Sequence, residues 1–187
     1  DNLFYGYGFS SMLQSVAARD AGATVFGYYV KDPERYGVVE FDSAGKAICL
    51  EEKPKNPRSN YAIPGLYFYD EKAPDLANAL EPSARGELEI TDLNCRFLEE
   101  QRLYYEEIGR GSVWFDAGTV ETLYAAGKYV EIVQTRQSVG VAFPEEVALR
   151  FGYIDVDGFK RTVHSLPDSR YRMFLELVLV DVLKEVS

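Results

Sequence analysis

Ala23-Thr24-Val25-Phe26-Gly27-Tyr28-Tyr29-Val30 constrains the fold more than any other stretch of this chain. It is a nearly continuous apolar run after a glycine, and such a strand is buried on both faces, which requires other elements packed above and below it. Phe9, Met12, Leu13 and Val16 precede it at helical spacing, with Ser10 or Ser11 near the helix start. A helix feeding such a strand is half of a βαβ unit. The pattern therefore predicts a doubly wound α/β domain whose first strand lies upstream of Asp1. The chain opens at Asp rather than Met, and Asp1 to Gly6 reads as an acid followed by a turn.

A second stretch, Val113-Trp114-Phe115-Asp116-Ala117-Gly118-Thr119, reads as a buried strand ending on a carboxylate, a glycine turn and a helix cap. Thr119 can cap a helix whose apolar positions are Leu123, Ala126, Val130 and Val133. Ligands of open α/β sheets sit at the carboxyl ends of strands, so Asp116 stands where a functional acid is expected. Between the two stretches, Val38–Phe41 and Lys46–Leu50 flank the turn Asp42-Ser43-Ala44-Gly45 as a hairpin. Another strand, Gly65–Tyr69, follows the segment Tyr61–Pro64. A short helix over Ala73–Leu80 comes next, then a helix striped by Ile90, Leu93 and Phe97 with Thr91 or Asp92 as its cap, then a strand over Leu103–Ile108. After a helix ending near Arg136 only helices are predicted: Pro144–Phe151, Asp157–Ser165 and Ser169–Lys184. The boundary between the α/β part, 1–137, and the helical extension, 138–187, is placed there.

Composition excludes several function classes. The formal charge of −10 argues against a nucleic-acid groove, because phosphate neutralisation needs clustered Lys and Arg. An acidic chain can still bind nucleotides if a divalent cation bridges the phosphates. No apolar run reaches the length of a membrane span and no signal peptide is visible, so a cytoplasmic protein is expected. Cys49 and Cys95 form no disulfide framework and read as reduced core thiols. The 14 Tyr and 11 Phe point to aromatic-rich strands or a site that stacks on flat or sugar-like ligands.

Three places carry residues suited to chemistry. Glu52-Lys53 stands at a strand end with Pro54 stiffening the exit: lysine suits a phosphate, and glutamate accepts from sugar hydroxyls. Arg85, in a glycine-bearing loop before a helix, can hold a phosphate by a bidentate contact. Asp116 can hold Mg²⁺, which takes one or two carboxylates and completes its shell with phosphate oxygens and water. A solvated ion pair, a loop arginine and a turn-forming aspartate are the plain alternatives. No Walker loop, zinc spacing or Ser-His-Asp order is present.

These segments follow one another in the order of a known family. Asp1-Asn2-Leu3-Phe4-Tyr5-Gly6, Tyr36–Asp42, Glu51-Glu52-Lys53-Pro54, Gly65–Asp70, Arg85–Asp92 and Gly109-Arg110-Gly111 through Thr119 together resemble the bacterial glucose-1-phosphate thymidylyltransferases, of the sugar nucleotidyltransferase family. The resemblance implies a truncated Rossmann-like α/β domain, a mixed sheet flanked by helices, with a C-terminal helical extension. It implies Mg²⁺ on Asp1 and Asp116, glucose hydroxyls on Gly37 and Glu52, and the sugar phosphate on Lys53 and Arg85, the catalytic pair. Ile63 and Tyr67 line the implied sugar pocket beside Trp114. The implied reaction is in-line attack of glucose-1-phosphate on the α-phosphorus of dTTP, releasing pyrophosphate and giving dTDP-glucose. A second, regulatory nucleotide site at a subunit contact would draw on Tyr5, Gly6 and Arg110, in a homo-oligomer.

The chain departs from the family at Ile63-Pro64-Gly65 (in place of a Val-Thr-Gly pattern), at Ala117 (for Thr) and at Tyr7 (for His). It also lacks the family's glycine-rich nucleotide loop, so the isolated chain is expected to show no turnover. Two alternatives stand beside the enzyme: a non-catalytic sugar-phosphate-binding or oligomerising module, and an enzyme that uses UTP.

Overall fold

The computed structural model describes residues 2–185, which fold as two compact units divided between Thr122 and Leu123. The first is the mixed sheet with flanking helices that the family resemblance implies. Its elements are β1 (Asn2–Tyr5), α1 (Phe9–Ala17), β2 (Ala23–Tyr29), a 3₁₀ turn (Pro33–Arg35), β3 (Gly37–Phe41), β4 (Ala47–Glu52), β5 (Tyr61–Ile63), β6 (Tyr67–Tyr69), α2 (Ala73–Asn78), α3 (Ile90–Glu99), β7 (Leu103–Glu107) and β8 (Val113–Asp116).

The apolar run does become the heart of the sheet. β2 pairs with β7 in parallel on one edge and with β5 and β6 antiparallel on the other, and Ala23, Val25 and Phe26 are fully enclosed. Val25, Val39, Leu50 and Ile63 pack on one side with Cys95 and Leu98 of α3; Phe26, Val16 and Ile108 pack with α1 residues in a second cluster. A side-chain layer on each side of one strand is what an unalternating apolar strand needs. The hairpin β3–β4 forms across the expected turn. There the Asp42 carboxylate accepts from the Ala44 and Lys46 amides at 2.8 and 2.9 Å, and Gly45 takes the left-handed backbone that closes the turn.

Three local expectations change. Asn2–Tyr5 is a strand, not a turn, and it pairs antiparallel with β8 in a two-stranded ribbon. β8 thus belongs to this ribbon instead of the large sheet, and only Trp114 in it is buried. Tyr61–Ile63 is a strand of its own because Pro64, which has no amide hydrogen, interrupts the ladder before β6.

The remaining elements are α4 (Val120–Gln137), α5 (Pro144–Arg150), α6 (Val156–Ser165) and α7 (Arg170–Glu185). Thr119 caps α4 as expected, its hydroxyl accepting from the Thr122 amide at 3.2 Å. Of the predicted stripe, Ala126 and Val133 are buried, but Leu123 is 60% exposed. The helical unit has its own core: Phe143, Phe159, Val163, Phe174, Leu175, Val178 and Leu179. α7 therefore buries one face and leaves Met173, Leu177 and Val180 outside. No described helix is long and apolar enough to cross a membrane.

Candidate functional site

A row of three residues across three strands makes the floor of the site. Gly37, the first residue of β3, is in register with Glu52 at the end of β4 on one side and with Ile63 at the end of β5 on the other. The row works because its middle member has no side chain. A Cβ on Gly37 would sit 3.1 Å from the Thr91 hydroxyl and 3.3 Å from Glu52 Oε2, crowding the bond between them.

In that bond the Thr91 hydroxyl donates to Glu52 Oε2 at 2.5 Å. Thr91 is buried in the first turn of α3. The helix starts earlier than Thr91 or Asp92 as caps would require, with Glu89 in the capping position, so the Thr91 hydroxyl is available to orient Glu52. With one carboxylate oxygen held in this way, the other, Oε1, lies 3.8 Å from Lys53 Nζ and 3.8 Å from the Arg85 guanidinium. Arg85 also reaches Glu87 at 3.1 Å and the enclosed Glu89 at 3.5 Å, and Glu89 accepts from the Ser83 hydroxyl at 3.0 Å. Two cations thus converge on one acid at the end of β4. Lys53 does so from a strained backbone, with φ at +43°, while its amide donates to the Tyr36 carbonyl at 3.0 Å. A side-chain-bearing residue in this conformation costs about 1–2 kcal/mol, a cost that recurs at functional positions.

The ribbon supplies the opposite wall. Side chains alternate along a strand, so Trp114 and Asp116 share one face of β8, and the cross-strand register sets Phe4 and Asn2 on that same face of β1. The Trp114 indole N–H donates to Asn2 Oδ1 at 2.7 Å, and the Tyr36 ring meets the indole edge-on at 5.0 Å. Floor and wall enclose a cleft of about 230 Å³ lined by Asn2, Arg35, Tyr36, Gly37, Glu52, Lys53, Ile63, Gly65, Tyr67, Ile90, Thr91, Trp114 and Asp116. Burial and the nearby Glu52 carboxylate push the Tyr67 phenol up to about 12, so it is neutral at pH 7 and can both donate and accept. Arg35 is held by Asp32 at 2.9 Å, which raises its already high pKa, with the Asp116 carboxylate adding to the effect.

Larger hollows lie elsewhere. One of 460 Å³ surrounds Gly22, where Asp70 already accepts from the Gly22 and Lys72 amides and pairs with Arg102. Another, of 580 Å³, follows the loop from Pro54 to Arg58 and borders the cleft at Glu52 and Thr91. Volume alone would favour these two, but the residues expected to do chemistry converge on the smaller cleft.

The structure thus brings together Gly37, Glu52, Lys53, Ile63, Tyr67, Trp114 and Asp116, with Arg85 joined through Glu52. Tyr5 stands at the other end of β1, in register with Val113, and Gly6 abuts Ser112; Arg110 is exposed in the same turn between β7 and β8. These three share the end of the ribbon away from Asp116. Asp1, the other expected metal ligand, lies outside the described residues. Among those described, no cluster of three or more His, Cys, Asp or Glu could hold a metal. Asp116 nevertheless suits Mg²⁺, which needs only one or two carboxylates when phosphate and water complete the shell. Asn2, Arg35, Tyr36, Gly65 and Thr91 were missed by the sequence reading. Thr91 carried a signal, a hydroxyl residue at a helix start, but one that equally describes a cap.

The profile of a family described as nucleotidyl transferase matches residues 1–133. Glucose-1-phosphate thymidylyltransferases from Xanthomonas campestris pv. campestris (strain B100) and Neisseria gonorrhoeae are 51% and 47% identical to the chain over 175 residues, 94% of its length. One from Mycolicibacterium smegmatis is 46% identical over 97% of the chain. The chain spans 59%, 61% and 62% of the length of these curated relatives, respectively. A crystal structure from Bacillus anthracis, assigned provisionally as a glucose-1-phosphate thymidylyltransferase and solved with sucrose, superposes with a TM-score of 0.59 at 41% identity. It covers 69% of this chain and 51% of its own.

Proposed function

Because this chain belongs to the nucleotidyl transferase family, we propose that its cleft binds glucose-1-phosphate and serves the transfer of dTMP from dTTP to that sugar phosphate, giving dTDP-glucose and pyrophosphate. The observation that carries this reading is the convergence of Lys53 and Arg85 on Glu52 beside an aromatic-walled cleft ending at Asp116. The relatives' names supply the reaction, and the cleft supplies groups suited to its sugar-phosphate half.

Each residue has a role its chemistry suits. Glu52, oriented by Thr91, accepts from sugar hydroxyls, and Gly37 lets the sugar approach the β3 backbone. Ile63 and Trp114 present apolar surface to the C–H faces of the ring. The neutral Tyr67 phenol can donate to an oxygen of the sugar. Lys53 and Arg85 bind the phosphate and aim its oxygen at the α-phosphorus of the nucleotide, as positioning and charge neutralisation dominate phosphoryl transfer. Mg²⁺, held by Asp116 with Asp1, would neutralise charge on the phosphates during transfer. In the same reading Tyr5, Gly6 and Arg110 belong to a separate regulatory nucleotide site at a contact between copies of the chain.

Isothermal titration of glucose-1-phosphate and of dTTP, each with and without Mg²⁺, tests the proposal. Glucose-1-phosphate should bind, and Lys53→Ala or Arg85→Ala should weaken it more than about tenfold, the value of a charge-assisted hydrogen bond. No binding of glucose-1-phosphate under any condition would overturn it.

A further inference from the structure

We propose that Asn2 is a positioning residue of the cleft: one carboxamide oxygen holds the Trp114 indole and the Gly65 backbone together, and so sets the angle of the aromatic wall against the floor. The proposal rests on reading the cleft as the sugar-phosphate site, but the coupling itself can be tested without any ligand.

Asn2 Oδ1 accepts from Trp114 Nε1 at 2.7 Å and from the Gly65 amide at 3.3 Å. Both partners are donors only, so the atom facing them must be the oxygen, which fixes the orientation of the carboxamide. Trp114 is 8% exposed, and an indole N–H buried to that extent needs an acceptor. Asn2 is the diagonal cross-strand neighbour of Trp114 on the shared face of the ribbon, from which a short polar side chain can reach the indole nitrogen.

The second partner ties the ribbon to the sheet. Gly65 lies between β5 and β6, just after Ile63 of the floor. A Cβ on Gly65 would lie 2.5 Å from Asn2 Nδ2 and 3.4 Å from its Oδ1, so the carboxamide can rest there only because that residue is glycine. Asn2 and Gly65 are therefore matched. The edge-on rings of Tyr36 and Tyr28, at 5.0 and 5.8 Å, hold the rest of the indole, leaving Asn2 as the polar stop on its rotation.

Trp114 is the only tryptophan in the chain, so its fluorescence reports on this contact directly. Asn2→Ala should shift the emission to the red and raise quenching by acrylamide, with an unchanged far-ultraviolet circular dichroism spectrum. Gly65→Ala should reproduce the shift by pushing the carboxamide away, which keeps the test decisive if Asn2→Ala fails to fold. Asn2→Asp, which keeps an acceptor oxygen, should retain the native emission. Emission unchanged in both alanine variants, or shifted equally in Asn2→Asp, overturns the proposal. Where wild-type chain binds glucose-1-phosphate, Asn2→Ala should weaken it about tenfold, since a misplaced wall costs binding without removing a charged contact. If the wild type does not bind while the emission shifts occur, the sugar-phosphate reading fails and the positioning role stands. If it binds and Asn2→Ala binds equally well, the role in the cleft fails.

Discussion

The helical unit gathers Phe159, Val163, Phe174 and Leu175 into one apolar cluster, and its ion pairs are surface contacts one helical turn apart, such as Arg172–Glu176 at 2.8 Å and Arg150–Glu146 at 3.4 Å. The cleft of the α/β unit is built differently. It buries Thr91 against Glu52, bends Lys53 into a left-handed backbone and relies on Gly37 and Gly65 where any side chain would collide or crowd. In the first region apolar burial supplies most of the stability and surface pairs add only about 0.2–0.5 kcal/mol each, while its strained residues, Ser138 at φ +55° and Ala142 at +58°, sit in the loop between α4 and α5. In the second, Lys53 opposes stability from a positive φ, and glycine is required at two positions beside the charged groups. What sets the cleft apart is that its strained residue and its glycines surround charged groups at one concave place, where such strain recurs for binding.

Substitutions should separate the two regions by the ratio of stability lost to binding lost. Phe159→Ala should cost about 3–5 kcal/mol in denaturant unfolding, as deletion of a fully buried ring does, while the folded fraction keeps its affinity for glucose-1-phosphate. A loss below about 1 kcal/mol would show that the helical core is not the ordinary packed core described. Thr91→Val should cost about 1–3 kcal/mol, because it leaves the Glu52 carboxylate without its donor, and it should also weaken sugar-phosphate binding; Thr91→Ser should restore both. Equal behaviour of the Val and Ser variants would mean the hydroxyl does nothing for Glu52.

Lys53→Gly sharpens the contrast most, since its two effects should carry opposite signs. Relief of the positive φ should raise stability by about 1 kcal/mol, while the loss of the ammonium weakens glucose-1-phosphate binding more than about tenfold. If stability falls instead, the strain assigned to Lys53 is not there.

The smallest effect is in alkali, with one tyrosine in each region. Burial raises the Tyr67 phenol to about 12 with help from Glu52, and raises Tyr171 to about 12 with help from its hydrogen bond to Glu145. An unfolded tyrosine ionises near pH 10, so between there and about 12 the native state keeps protons that the unfolded state has lost. Stability contributed by these groups is therefore complete below pH 10 and declines as pH rises toward 12. Melting temperatures across that interval should fall less steeply in Tyr67→Phe and in Tyr171→Phe than in the wild type. A slope unchanged in either variant would remove that residue from the account.

Much of this was legible from local pattern. The unalternating run over 23–30, the Asp42–Gly45 turn and the helices of the second unit depend on residues a few positions apart, where strand alternation, turn chemistry and helical spacing act directly. Glu52, Lys53, Arg85 and Asp116 were also visible, because each is a charged residue set at a strand end or a glycine turn. Asn2–Tyr5 was not, since four residues make a strand only when a partner offers its ladder, and that partner, β8, begins more than a hundred residues later.

By itself, then, the sequence determined the alternation of strands and helices, the two-faced burial of β2 and the residue types available for binding phosphate, all consequences of short-range spacing. Only the tertiary structure decided that Thr91 serves Glu52 across 39 positions and that Asn2 meets Trp114 across 112. A hydrogen bond depends on a distance of about 3 Å and a direction, and separation along the chain specifies neither until the sheet register brings the strands together.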